Sequence, residues 1–93
     1  MRTAAKRDDG ERAIIEALEA AGATVQQLSG GGIPDLLVGY GKRTVLLEVK
    51  SEGGSLTGLQ AMWLAWWSGG PVAVVSTPGE ALAAVGANRK RGK

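Results

Sequence analysis

The chain has no cysteine, no histidine and no phenylalanine among its 93 residues. Without cysteine there is no disulfide framework and no thiolate metal site. Without histidine there is no imidazole general base, no Ser-His triad and no histidine-held zinc. Any metal must be held by oxygen ligands, which favours Mg²⁺, Mn²⁺ or Ca²⁺. Three tryptophans and one tyrosine supply all the aromatic content, and much of the rest of the apolar content is alanine. A small core built that way is marginal, and a dimer interface would supplement it. No apolar run is long enough to span a bilayer, and the first residues lack the apolar region of a signal peptide. A cytoplasmic domain is expected.

The formal net charge of +2 is unevenly divided. Residues 1–8 form a basic arm with Arg2, Lys6 and Arg7, and residues 88–93 form a basic tail with Arg89, Lys90, Arg91 and Lys93. All nine acids lie between Asp8 and Glu80, opposed there only by Arg12, Lys42, Arg43 and Lys50. Basic ends on an acidic body suit a polyanion such as DNA, and they equally suit solvated, disordered termini. One domain is expected over residues 9–87.

The hydrophobic pattern alternates between helical and extended periods. Residues 9–21 carry Ile14, Ile15 and Leu18 at helical spacing, with Asp8 or Asp9 as N-cap and Gly22 as the stop. Glu11 falls at the inner edge of that apolar face. Three short strands are expected next: residues 23–28, 34–40 and 43–50. A second helix spans residues 56–67 and ends at Gly69-Gly70. A buried-type strand, residues 71–76, and a last helix opened by Pro78 complete the order. The first three strands are joined too tightly to be parallel, so the expected class is α/β with a mixed sheet flanked by helices.

Between the second and third strands stands Gly41-Lys42, a two-residue hairpin turn that suits type II′ because glycine comes first. Pairing Tyr40 with Arg43 places Asp35 directly opposite Glu48, their Cβ atoms roughly 5 Å apart, with Lys50 on the same face. Like charges facing each other across a sheet are destabilising unless protonation, a cation or a metal relieves them. A salt bridge among Asp35, Glu48 and Lys50 is one relief. The other is a divalent metal, since neighbouring Val and Leu residues make this no solvated face and Glu11 can approach from the first helix. Acids that hold a hard cation, with a lysine to orient water or stabilise developing charge, meet the needs of phosphodiester hydrolysis.

Pro34-Asp35 followed by Glu48-Val49-Lys50 resembles the PD-(D/E)XK nuclease signature. The wider frame, from Glu11 through the Gly31-Gly32-Ile33-Pro34-Asp35 run to Gln60, is similar to small stand-alone VRR-NUC proteins of phages and bacteria. It is more distantly similar to archaeal Holliday-junction resolvases. The resemblance implies a restriction-endonuclease-like αβββαβ core and a Mg²⁺-dependent DNA endonuclease, with Mn²⁺ able to substitute. It further implies selectivity for four-way or other branched DNA, a homodimer, and no small-molecule cofactor. Asp35 and Glu48 would be metal ligands, joined by the Val49 backbone carbonyl and by Glu11 at the metal or its water shell. Lys50 would be the catalytic lysine, with Gln60 beside the site. Gln60 reads equally as the third residue of a capping box opened by Thr57. The family's last core strand usually ends in arginine, where this chain has Ser76.

Lys6, Arg7, Lys42, Arg43, Arg89, Lys90 and Arg91 are the candidate DNA contacts. Trp63, Trp66 and Trp67 cover more than one face of the second helix, so one face is expected in the core and the surplus against a second subunit. Two other roles compete with the nuclease: a DNA-binding or assembly protein on a degenerate nuclease fold, and a subunit of a larger nuclease system. Gly30-Gly31-Gly32 lacks the Gly-Lys-Ser/Thr of a phosphate loop and reads as a flexible turn.

Overall fold

The computed structural model describes residues 3–88, with residues 3–9 described for their backbone alone. Its elements run α1 (Thr3–Ala20), β1 (Thr24–Gln27), β2 (Leu36–Tyr40), β3 (Arg43–Val49), α2 (Gly58–Trp66), β4 (Val72–Val75) and α3 (Pro78–Val85). The strands form one sheet in the order β1-β2-β3-β4, with the first three antiparallel and β4 parallel to β3. The α/β class and the mixed sheet follow the sequence reading. None of the described helices is long and apolar enough to cross a membrane.

Helix α1 starts earlier than its apolar stripe. It runs from Thr3 through Asp8 and Asp9, so neither aspartate is an N-cap. The preceding Ala4, Ala5, Lys6 and Arg7 are good helix formers, which offsets the roughly 1 kcal/mol that Gly10 costs inside a helix. The helix stops as expected. Gly22 takes φ 99°, and the Ala23 N–H reaches back to the Leu18 carbonyl at 3.0 Å, a glycine-terminated cap. Glu11, Ile14 and Leu18 form its buried side.

Alternation divides the sheet into two faces. Leu36, Val38, Val45, Leu47, Val49 and Val75 turn to one side and meet Ile14 and Leu18 of α1 and Ala81 and Val85 of α3. Helix α3 is fixed at both ends: the Thr77 hydroxyl accepts the Glu80 N–H at 3.1 Å, and Gly86 closes it with φ 85°. Asp35, Leu37, Leu46, Glu48 and Val74 alternate to the opposite face. The α2 side of the molecule lies there, and it departs from expectation. No residue of α2 is buried, whereas the sequence pattern put one of its faces in the core.

The hairpin turn differs in type and agrees in register. Gly41 has φ 59° and Lys42 has φ 68°, and positive values at both positions define type I′, not the expected type II′. Both types close a two-residue loop, so Tyr40 still pairs with Arg43 and Leu36 with Leu47. The type I′ turn better matches strand twist, and it forces a lysine into the left-handed region at a cost of about 1 kcal/mol. Lys42→Gly is therefore expected to raise stability by at most roughly 0.5 kcal/mol, because glycine relieves the turn yet loses chain entropy. Urea unfolding midpoints check this, and a lower midpoint for the variant refutes the strained turn.

Candidate active site

The site grows from the hairpin register. With Leu36 opposite Leu47, the next pair outward is Asp35 and Glu48. Asp35 is 6% exposed and Glu48 is 2% exposed, so both carboxyl groups are removed from solvent. Asp35 is held from two directions. Its carbonyl accepts the Leu28 N–H at 2.8 Å, and its Oδ2 accepts the Val49 N–H at 2.8 Å. The second bond continues the β2–β3 ladder with a side chain in place of a main-chain carbonyl. Main-chain N–H and C=O of one strand residue point to the same side, so the Val49 carbonyl also turns toward Asp35.

The side chains of Gln60 and Lys50 both hold Glu48. The Gln60 amide donates to Oε2 at 2.8 Å, and the Lys50 ammonium lies 3.5 Å from the same oxygen. The Lys50 side chain is 17% exposed, so its charge sits at the rim, where water and a ligand can reach it. The two readings of Gln60 are both realised. Its Oε1 accepts the Thr57 N–H at 2.9 Å and its N–H donates to the Thr57 hydroxyl at 3.2 Å, a complete capping box. The other end of the same amide holds Glu48. One residue thus joins the start of α2 to the carboxylate.

Gly32 makes that junction possible. It has φ 84°, and a Cβ there would stand 2.6 Å from the Leu59 carbonyl oxygen. The glycine run is therefore more than a flexible turn: Gly32 lets the loop press against the first turn of α2. Nothing in its spacing distinguishes it from Gly30 or Gly31.

Glu11 is buried and accepts a 2.9 Å hydrogen bond from the Gln27 amide, a partner with no sequence signal beyond its place on β1. Among the described residues, no three acids stand close enough to hold a metal by side chains alone. The centre of the site is thus the Asp35–Glu48 pair with Lys50 and Gln60, while Glu11 accepts from Gln27 on β1. Two fixed carboxylates and a carbonyl turned toward them are an all-oxygen donor set, which fits a hard divalent cation and not a soft one.

The other candidates are spread out. Lys42 and Arg43 occupy the hairpin tip, about 17 Å along the strand from Glu48. A Cβ on Gly86 would lie 3.0 Å from an Arg43 guanidinium nitrogen, so this arginine stands at the C-terminus of α3, where a cation is favoured. Ser76 provides no cation. Its N–H donates to Glu80 Oε1 at 2.7 Å, helping to open α3. The side chains of Lys6 and Arg7, and Arg89, Lys90 and Arg91 entirely, lie outside the described residues. Trp63 stacks on Trp67 with centroids 5.0 Å apart and meets Trp66 edge-on at 5.9 Å.

Comparison with solved structures gives the class. A structure described as a VRR_NUC domain superposes with a TM-score of 0.74 over 90% of this chain and 98% of that one, at 25% sequence identity. The chain has the restriction-endonuclease-like fold of a VRR_NUC nuclease domain, and the resemblance drawn from its motifs holds. No family model and no curated protein matches the chain.

The double role of Gln60 can be measured. Thr57→Ala removes the cap alone and is expected to cost about 1 kcal/mol. Gln60→Ala also removes a donor from a buried carboxylate and is expected to cost roughly 1–3 kcal/mol more. Urea unfolding compares them, and equal losses would show that the Glu48 bond contributes nothing.

Proposed function

We propose that the protein is a Mg²⁺-dependent DNA endonuclease, selective for branched DNA such as a four-way junction and acting as a homodimer. The observation that carries this reading is the buried Asp35–Glu48 pair, aligned across one hairpin with Lys50 against Glu48. Two like charges at that depth are costly unless they are compensated, and a divalent cation beside Lys50 would compensate them. The nuclease fold of the matched domain supports DNA as the substrate. A DNA substrate in turn suits a cytoplasmic location in a bacterial or phage-infected cell.

Asp35, Glu48 and the Val49 carbonyl would hold the cation, with Mn²⁺ able to replace Mg²⁺ and Glu11 contributing through its water shell. Once bound, such a cation polarises the phosphoryl oxygens and lowers the pKa of an adjacent water. The chain's own groups supply the positioning. The Val49 N–H fixes the Asp35 carboxylate, and Gln60 holds Glu48 to one rotamer. Lys50, tethered at Glu48, places a positive charge where a phosphodiester accumulates negative charge as water adds to phosphorus and one P–O ester bond breaks. Its ammonium also has donors to orient that water. The capping box presents Gln60 without spending its Glu48 contact, so the start of α2 acts as the brace of the site. With no base-reading module in the sequence, selectivity for DNA shape is the better match.

Labelled four-way junctions incubated with Mg²⁺ test the proposal. Asp35→Asn keeps an acceptor for the Val49 N–H and removes the charge, so the fold survives while cleavage falls at least ~100-fold. Lys50→Ala is expected to fall comparably while still binding Mn²⁺ in calorimetry. Undiminished cutting by both variants sinks the site, and a wild-type protein that binds DNA without metal uptake or cutting is a binding protein on a nuclease fold.

A further inference from the structure

Helices α1 and α3 pack on one face of the sheet and leave the other face to the site. Strand alternation places Thr24 and Gln26 of β1, Leu37 and Gly39 of β2, and Thr44 of β3 on that second face, together with Asp35 and Glu48. Thr24, Gln26, Leu37 and Thr44 are exposed. With Gly39 between them they line an open groove of about 280 Å³. Its cross-strand row is Thr24 opposite Gly39 and Gly39 opposite Thr44. Along β2, Leu37 links Gly39 to Asp35, so the groove leads to the carboxylate pair over four residues, roughly 13 Å.

Gly39 forms the floor. It lies inside β2, and a glycine within a strand marks a place where a ligand or another backbone comes close. A Cβ there would stand 2.9 Å from Thr24 Oγ1 and fill the space between the two threonines. The polar groups of the groove are loosely engaged. The Thr24 hydroxyl donates to the Gly39 carbonyl at 3.4 Å, and the Gln26 amide donates to the Gln27 carbonyl at 3.2 Å. Both contacts are exposed and long, and a charged acceptor competes well for such donors. The charges favour an anion. From Ala20 to Lys50 the acids are Asp35 and Glu48 alone, the pair at the site, while Lys42 stands at the hairpin tip and Lys50 at the other end. From Gly53 to Gly79, the stretch that contains α2 and β4, there is no Asp, Glu, Lys or Arg. A phosphate chain therefore meets a cation at each end of the first path and none on the second.

We propose that this groove seats the DNA strand flanking the scissile phosphate. Thr24, Thr44 and Gln26 donate to its phosphate oxygens, and Leu37 packs against a deoxyribose. The groove spans about four steps of a duplex strand at roughly 3.4 Å each. Neutral donors of this kind fix the position of a strand and carry no base preference, which suits a protein that reads DNA by shape. That the seated strand is the one cut rests on the nuclease reading; that the groove holds a phosphodiester chain does not.

Fluorescently labelled four-way junctions, titrated without added metal, report binding apart from cutting. Thr24→Val and Thr44→Val keep the side-chain shape and remove the hydroxyls. The double variant is expected to bind about tenfold more weakly with an unchanged circular dichroism spectrum, and Gly39→Val, which fills the floor, is expected to bind more weakly too. Junctions with one neutral methylphosphonate at each phosphate in turn locate the contact. The wild type is expected to lose affinity over a run of about four neighbouring phosphates, and the double variant to lose nothing further there. Unchanged affinity in the folded double variant overturns the proposal, as does equal sensitivity of both proteins to methylphosphonate. A double variant that sediments differently from the wild type but keeps its DNA affinity makes this face a protein contact and overturns it as well. Cutting by the double variant at the wild-type kcat/KM removes the groove and leaves the nuclease. Groove-dependent binding by a wild type that does not cut with Mg²⁺ removes the nuclease and leaves the groove.

Discussion

The bond from the Val49 N–H to the Asp35 carboxylate is the constraint on which the site depends. It sits where the β2–β3 ladder would otherwise run out and extends that ladder by a side chain. The register of the hairpin, the depth of both acids and the direction of the Val49 carbonyl all meet at this point. Moving either strand by one residue would send Glu48 into the α1–α3 core and bring Leu47 to the site. The turn at Gly41-Lys42 tolerates a lysine in the left-handed region because only a two-residue loop keeps this pairing.

Much of the architecture was legible because it rests on local chemistry. A two-residue loop allows only one register, so Asp35 and Glu48 could be set opposite each other without coordinates. Thr57 and Gln60 spelled a capping box, and the box is there. The turn type was misread because glycine at the first position satisfies both mirror turns, and strand twist chooses between them. The start of α1 was misread because good helix formers upstream outweigh the break suggested by Asp9-Gly10.

What could not be read depends on contacts distant in sequence. Gly32 looks like its neighbours until α2 is laid against it, when the Leu59 carbonyl leaves no space for a side chain. Gln27 became a partner of Glu11 only once β1 lay beside α1. The division of labour in Gln60 was visible as two alternatives, and the fold made them one: cap at one end of the amide, carboxylate at the other. Helix α2 misled most. Its apolar residues lie on every side, and composition cannot tell a buried face from an exposed one.

The charge-free span from Gly53 to Gly79 has a consequence for ionic strength. Contacts made by α2 and β4 involve no ion pairs within this span, so added salt has little there to screen. The phosphate contacts of a polyanion behave oppositely and weaken steeply as counterions compete. Salt therefore acts on the two sides of this molecule independently: it loosens whatever its cations hold and leaves the packing of its uncharged flank unchanged.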